Sequence, residues 1–204
     1  MTTKLQLLLI TLTFFAAASI GTAQTKRSMN PASQLPDSAF NRWVEFKPPD
    51  GRFSILFPGV ATMRFMDDEQ SSDGRKKYYA TYQSTIKYSV MSYEYPENLE
   101  APIVAKDVID STRDAGIAAS AQAGEKPSVI SETVTNFEGH PARVLQISMA
   151  GGGRTWCKFI VVKNHFYFIE VVLPSSGGRV GISVAQGKIA EFFLNSFRLY
   201  REVA

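Results

Sequence analysis

Cysteine is nearly absent from this 204-residue chain: Cys157 stands alone, which excludes an internal disulfide and any metal site built from clustered thiolates. Histidine is almost as scarce. His140 and His165 are the only two, each beside a turn sequence and without the short spacing of a zinc site, so both read as surface turn residues and no metal site is expected. An excess of charge of one sign is missing as well, with 22 Lys and Arg against 19 Asp and Glu, a net +3. The densest basic cluster, Arg75-Lys76-Lys77, follows directly on Asp67, Asp68, Glu69 and Asp73, so it reads as a solvated hairpin rim and no nucleic-acid partner is expected. No period of about 20 to 50 residues repeats, which removes solenoids and propellers. What is present, 45% hydrophobic, 20% charged and 12% aromatic residues, is the composition of a globular chain.

Long apolar runs are confined to the start. Lys4, the stretch from Leu5 to Ile20, and Gly21 and Ala23 around a cut before Gln24 have the three parts of a secretory signal. At about 16 residues, diluted by Thr11, Thr13 and Ser19, the run falls short of the roughly 20 that a spanning helix needs. No Cys lies near the cut to carry a lipid anchor. The expectation is export to the periplasm or beyond, with a signal peptide over 1–23, a polar, flexible linker over 24–42, a single domain over 43–204 and no membrane span after cleavage. Loss of Lys4 with the leader takes the net charge to +2, and the 181 residues left suffice for one sizeable core.

Within the domain, strands are expected at Trp43 to Phe46, Phe53 to Phe57, Ala61 to Glu69, Lys76 to Ser84 and Tyr88 to Tyr95. A second group follows at Ser128 to Asn136, Ala142 to Met149, Thr155 to Val162 and Phe166 to Leu173, with a short last strand near Phe197. Turn chemistry separates them at Pro48-Pro49-Asp50-Gly51, Ser71-Ser72-Asp73-Gly74, Glu138-Gly139-His140-Pro141, Gly151-Gly152-Gly153 and Lys163-Asn164. Helical spacing of apolar residues predicts one helix from Ile103 to about Ala121 and another from about Val180 to Asn195. In the strand at 155–162 both alternating sets are apolar, Cys157, Phe159 and Val161 on one side and Trp156, Ile160 and Val162 on the other. Such a strand sits inside a sheet covered on both sides, so an α+β fold is expected, a central antiparallel sheet with helices on both faces as an α/β/α sandwich.

The order Trp43-x-x-Phe46, then Pro49-Asp50-Gly51-Arg52-Phe53-Ser54-Ile55-Leu56-Phe57-Pro58-Gly59, then Glu138-Gly139-His140-Pro141-Ala142-Arg143, then Phe192-Phe193-Leu194-Asn195-Ser196-Phe197-Arg198-Leu199 resembles the landmarks of bacterial exported PsbP-like domains, over most of the chain from Trp43 to Leu199. These motifs are structural. The resemblance implies the PsbP-like fold and a non-catalytic binding or accessory role, since that superfamily contains the extrinsic subunit of photosystem II, DcrB-like envelope proteins and a Ran-binding nuclear-transport factor. It implies no catalytic residue and no cofactor, and it points to another envelope protein as partner. The photosystem subunit has a long N-terminal arm where only Gln24 to Arg42 precede this domain, which argues against a role in oxygen evolution.

Several residues carry chemistry worth testing. If Lys163-Asn164 is a two-residue hairpin turn, Val162 pairs with His165 and Cys157 with Glu170, which separates Cys157 from His165 by about eight residues of ladder and leaves a buried structural thiol instead of a dyad. Glu170 breaks the apolar pattern between Ile169 and Val171: it is expected to pair with an Arg or sit at an exposed position, and the competing function is a secreted hydrolase using Glu170 or a histidine. The acidic run at 67–74 lacks the alternating oxygen ligands of a calcium loop. Gly181-Ile182-Ser183-Val184-Ala185 has neither the second glycine nor a following histidine that a nucleophile elbow needs. Tyr78, Tyr79, Tyr82, Tyr88, Tyr93 and Tyr95 crowd into two neighbouring strands, where they suit either sheet packing or a partner surface.

Overall fold

The structure is a computed structural model that describes residues 42–49, 52–67, 76–95, 104–174 and 184–200, without the side chains of 64–67 and 76–79. The expected signal peptide, the linker up to 41, the acidic tip at 68–75 and residues 180–183 lie outside the described residues.

Among the described residues ten strands and two α-helices follow in chain order, with a short 3-10 turn (Ala150–Gly152) between the seventh and eighth strands: β1 (Val44–Phe46), β2 (Phe53–Phe57), β3 (Thr62–Asp67), β4 (Lys76–Gln83), β5 (Lys87–Glu94), α1 (Ala105–Gln122), β6 (Ser128–Phe137), β7 (His140–Ser148), β8 (Arg154–Val162), β9 (His165–Leu173), α2 (Val184–Asn195) and β10 (Arg198–Leu199). Seven strands form one sheet in the order β3-β4-β5-β9-β8-β7-β6, and β1-β2-β10 form a smaller one. Every pairing is antiparallel. The class is therefore α+β, as expected.

Turn residues set the register. Glu138 and Gly139 both have positive φ, 52° and 90°, the combination a two-residue hairpin turn needs, and Gly139 N–H donates to Asn136 Oδ1 at 2.7 Å. This shortens the expected four-residue turn: β7 begins at His140 and includes Pro141. Proline is tolerated there because the ladder to β8 starts only at Ala142 opposite Ile160, so no β8 carbonyl needs the missing N–H. Lys163 also has positive φ, 52°, and its turn pairs Val162 with His165 and Cys157 with Glu170, the register read from the sequence.

Two clusters of buried side chains share β8 between them. Trp156 and Ile160 pack with Phe53, Ile55 and Phe57 of the small sheet and with Ala190, Phe193 and Leu194 of α2. Cys157, Phe159 and Val161 pack with Phe166 and Phe168 of β9, Leu145 and Ile147 of β7, and Ile109 of α1. Because successive strand residues point to opposite faces, the alternating apolar sets of β8 feed different clusters. The strand lies inside the sheet, beside the middle strand β9.

The C-terminal end of α2 is pinned from three directions. The nearly buried Lys158 donates from Nζ to Leu194 O at 3.3 Å and lies 4.4 Å from the Phe137 ring centre, Arg198 donates to Asn195 O, and Ser196 Oγ donates to Phe193 O while accepting from Leu56 N–H. Cations and hydroxyls at this end satisfy carbonyls that the helix leaves open. At the far edge, β6 exposes its side chains on both faces from Ser128 to Asn136. Among the described residues no helix is long and apolar enough to cross a membrane.

Candidate functional site

The carboxylate of Glu170 is the chemically unusual group of the sheet. It projects from β9 between its ladder partners Cys157 on β8 and Ser89 on β5, and it is only 2% exposed. Ser89 Oγ donates to Oε2 at 3.1 Å and Lys87 Nζ approaches the same oxygen at 3.5 Å, while Oε1 has no hydrogen-bond partner. Burial pushes the carboxyl up from its ordinary value, opposed by the Lys87 charge and the Ser89 hydroxyl. The cation expected beside Glu170 is thus a lysine from a neighbouring strand, not an arginine.

Cys157 is buried and its thiol is pushed well up, first by burial and then by the charge of Glu170. A neutral thiol in apolar surroundings is a poor nucleophile. His165 stands five ladder positions from Cys157, about 17 Å at 3.3 Å per residue, closer than the eight expected but far beyond contact. It lies five residues from Glu170 along β9 itself. Its ring is stacked against Tyr167, and its Nε2 is 3.7 Å from Glu94, which also takes Arg52 at 3.2 Å. His140 opens β7 opposite Phe137. Neither histidine is a freely exposed turn residue: both are partly buried because the hairpin turns are two residues long and the histidines already belong to strands. The structure brings neither to Glu170 or Cys157.

The six tyrosines do not form one surface. Tyr88 is 4% exposed and packs with Trp43 and Phe193, while Tyr93, at 7%, belongs to the opposite cluster beside Phe166. The physical reason is alternation: β5 is an interior strand covered on both sides, so its tyrosines are divided between two cores. Tyr82 and Tyr95 are half-buried, and the Tyr82 ring rests so close on Gly59 that a Cβ there would come within 2.5 Å of it. The side chains of Tyr78 and Tyr79 lie outside the described residues.

Beneath α1 a mostly apolar cavity of about 10 Å³, enough for one water-sized molecule, separates Gly116 and Ile117 from Leu145, Cys157 and Phe159. Nearby, Arg143 on β7 is buried and binds Asp110 of α1 and Glu132 of β6, which in turn holds Arg113 at 2.8 Å. The sequence reading missed Lys158 and Arg143. Lys158 carried a usable signal, since it interrupts the apolar run of β8 as Glu170 interrupts that of β9. Among the described residues no three His, Cys, Asp or Glu side chains cluster as metal ligands.

No family model matches the chain, and no curated protein sequence does. The solution structure of cyanobacterial PsbP (CyanoP) from Synechocystis superposes with a TM-score of 0.51 over 84% of this chain and 100% of that one, at 11% identity. The fold is PsbP-like. At that identity the PsbP-like match speaks for architecture alone. A Pseudomonas aeruginosa protein of unknown function aligns at TM-score 0.33 and 10% identity, over 67% of this chain and 85% of its own. A Bacteroides thetaiotaomicron protein aligns at 0.33 and 13%, over 80% and 50%.

Proposed function

We propose that this chain is an exported, non-catalytic accessory or binding domain that acts through contacts with another protein of the cell envelope. The observation that carries this reading is the PsbP-like fold over the whole length of CyanoP. The helices are read as layers on opposite faces of the seven-stranded sheet, a reading supported by the division of β8 between the α1 and α2 clusters. It is further supported by the placement of the reactive side chains, with Cys157 and Glu170 packed inside a sheet face and the histidines elsewhere. Export rests on the leader sequence and a cut before Gln24. For the partner surface, Tyr88 and Tyr93 drop out as core residues, which leaves Tyr78, Tyr79, Tyr82 and Tyr95 together with the exposed edge β6, where Val129, Ile130 and Val134 are 42%, 47% and 75% exposed.

The test is expression of the full chain with its leader in a Gram-negative host, followed by fractionation, mass spectrometry of the N-terminus and site-specific photocrosslinking from Tyr82, Tyr95 and Val134. Material starting at Gln24 and a discrete crosslinked envelope protein are expected. An intact Met1 on the accumulated protein would refute export. Hydrolysis of a panel of esters or glycosides that disappears in Glu170→Gln would refute the non-catalytic reading in favour of a hydrolase with Glu170 as base.

A further inference from the structure

Ser120 Oγ, Glu125 Oε2, Thr155 Oγ1 and Glu170 Oε1 are among the buried side-chain atoms of the described residues that make no hydrogen bond. Ser120, Thr155 and Glu170 are 1%, 0% and 2% exposed. Far apart, they would be four separate defects. The fold brings them to one place, at the end of the α1 face of the sheet nearest the β7–β8 hairpin.

The direction of α1 over the sheet fixes this. Asp110, in its first half, binds Arg143, whose ladder partner on β8 is Phe159. Gly116 lies over the cavity that Cys157 lines, two residues along β8. Ser120, the next residue on the same buried stripe, is one turn further on, toward Thr155. Glu125 then ties the helix exit to the hairpin: its N–H donates to Ser120 O at 3.0 Å, and its carbonyl accepts from Ala150 N–H in the β7–β8 connection at 2.5 Å. Across the sheet, Thr155 and Cys157 share a face and Cys157 is paired with Glu170, so Thr155 and Glu170 are diagonal neighbours, with Cβ atoms about 7 Å apart or less. Glu125, at the helix exit, adds the smallest of the influences on the Glu170 carboxyl, pushing it further up.

Two of these oxygens belong to carboxylates, which only accept, and two to hydroxyls, which make no bond to them or to each other. Carboxylate and hydroxyl oxygens can all accept, so the four could serve one cation as ligands. When ionised, Glu125 and Glu170 bring two negative charges here, and Lys87, the cation beside Glu170, is occupied with the other oxygen, Oε2. The last turn of α1, whose dipole presents its negative end here, contains no basic residue.

We propose that Ser120 Oγ, Glu125 Oε2, Thr155 Oγ1 and Glu170 Oε1 form a binding site for one hard, oxygen-preferring cation of the Ca²⁺ type. Calcium accepts mixed carboxylate and neutral oxygen ligands in irregular geometry and completes its shell with water, whereas Mg²⁺ demands a near-ideal octahedron and gives up its own waters reluctantly. The half-buried Glu125 is the way in. The cation would neutralise Oε1 as Lys87 neutralises Oε2 and would clamp the exit of α1 to β8 and β9. The proposal stands independently of export and of any partner.

The experiment uses the full chain, freed of metal with a chelator and titrated with CaCl2, MgCl2 and NaCl by calorimetry and thermal unfolding. One saturable Ca²⁺ site with a matching rise in Tm is expected, and a smaller response to Mg²⁺ or Na⁺. Glu125→Gln should weaken Ca²⁺ binding about tenfold or more, and Glu170→Gln should abolish the Tm response. Glu138→Gln, in the exposed β6–β7 turn, should leave both unchanged. Should Glu170→Gln fold poorly, Glu125→Gln at the rim decides alone. Absence of heat and Tm change across the millimolar range would overturn the proposal and leave ordered water as the guest, as would an equal Ca²⁺ response in wild type and Glu125→Gln.

Discussion

The two clusters of buried side chains that share β8 are built on different principles. In the cluster that α2 and the small sheet join, aromatic rings interlock: Phe193 meets Phe57 and Tyr88 at 5.2 Å between ring centres, and Phe197 meets Tyr167 at 5.2 Å and Phe53 at 5.3 Å. On the α1 face the helix buries Ile109, Thr112, Gly116 and Ser120, a stripe with one large apolar side chain, above a small cavity and the polar groups Ser89, Arg143, Thr155 and Glu170. Small and polar residues give up apolar contact area and add desolvation costs. The contrast teaches a division of labour: the α2 side is dense in aromatic contacts and keeps one buried cation, Lys158, at its helix end, whereas the α1 side keeps Arg143 and Glu170 among small and polar residues.

The largest effect that can break this comparison is truncation of Phe193, which is fully buried among Trp43, Phe57 and Tyr88. Phe193→Ala should cost about 3 to 5 kcal/mol in urea unfolding. On the other face Phe159, stacked 5.0 Å from Phe168 beside the existing cavity, should cost near the lower end of that range, about 3 kcal/mol, because its surroundings are already loosely filled. A Phe159→Ala cost above that of Phe193→Ala would reverse the ranking of the faces. A cost below roughly 1 kcal/mol would mean that β8 is not the interior strand described here.

The same contrast explains what was legible in the sequence. Strand positions and the β8–β9 register follow from local signals, the Lys163-Asn164 turn and the doubled apolar alternation of residues 155–162, and these were readable. Glu170 was visible as a carboxylate in an apolar run. The tyrosines misled because composition does not say that β5 is covered on both sides; that depends on β9 inserting beside it after a crossover through α1 and three intervening strands. Least legible were Ser120, Glu125 and Thr155. Each is unremarkable in its own segment, and their convergence depends on the line α1 takes across the sheet, a tertiary property without a local pattern.

Cys157 gives an intermediate test of the α1 face. The thiol packs against Leu145 and Phe159, and its elevated pKa keeps it protonated, so native protein should react with a thiol reagent only as fast as the sheet opens. Cys157→Ser places an unpaired hydroxyl there and should cost about 1 to 3 kcal/mol while leaving partner binding unchanged. Labelling as rapid as in unfolded protein would show the α1 face to be open, and lost function in a folded serine variant would give the thiol a chemical role.

The smallest expected effect concerns the Lys106, Asp110, Arg143 and Glu132 network at the other end of α1. Lys106 first and Arg143 next hold the Asp110 carboxyl down from 3.8 to about 2. A carboxyl with a lower pKa in the folded state contributes stability above its unfolded value and loses it as pH falls through the folded one, so the window runs from near pH 4 down to about 2. The loss should be modest, because Lys106 is largely solvent-exposed and Arg143 keeps Glu132 at 2.7 Å after Asp110 is protonated. Urea midpoints measured through that window should fall less steeply in Asp110→Asn than in wild type, and added salt should shrink the difference. Parallel slopes would show that α1 rests on the sheet without help from this pair, leaving the polar cluster at its opposite end as the main electrostatic tie.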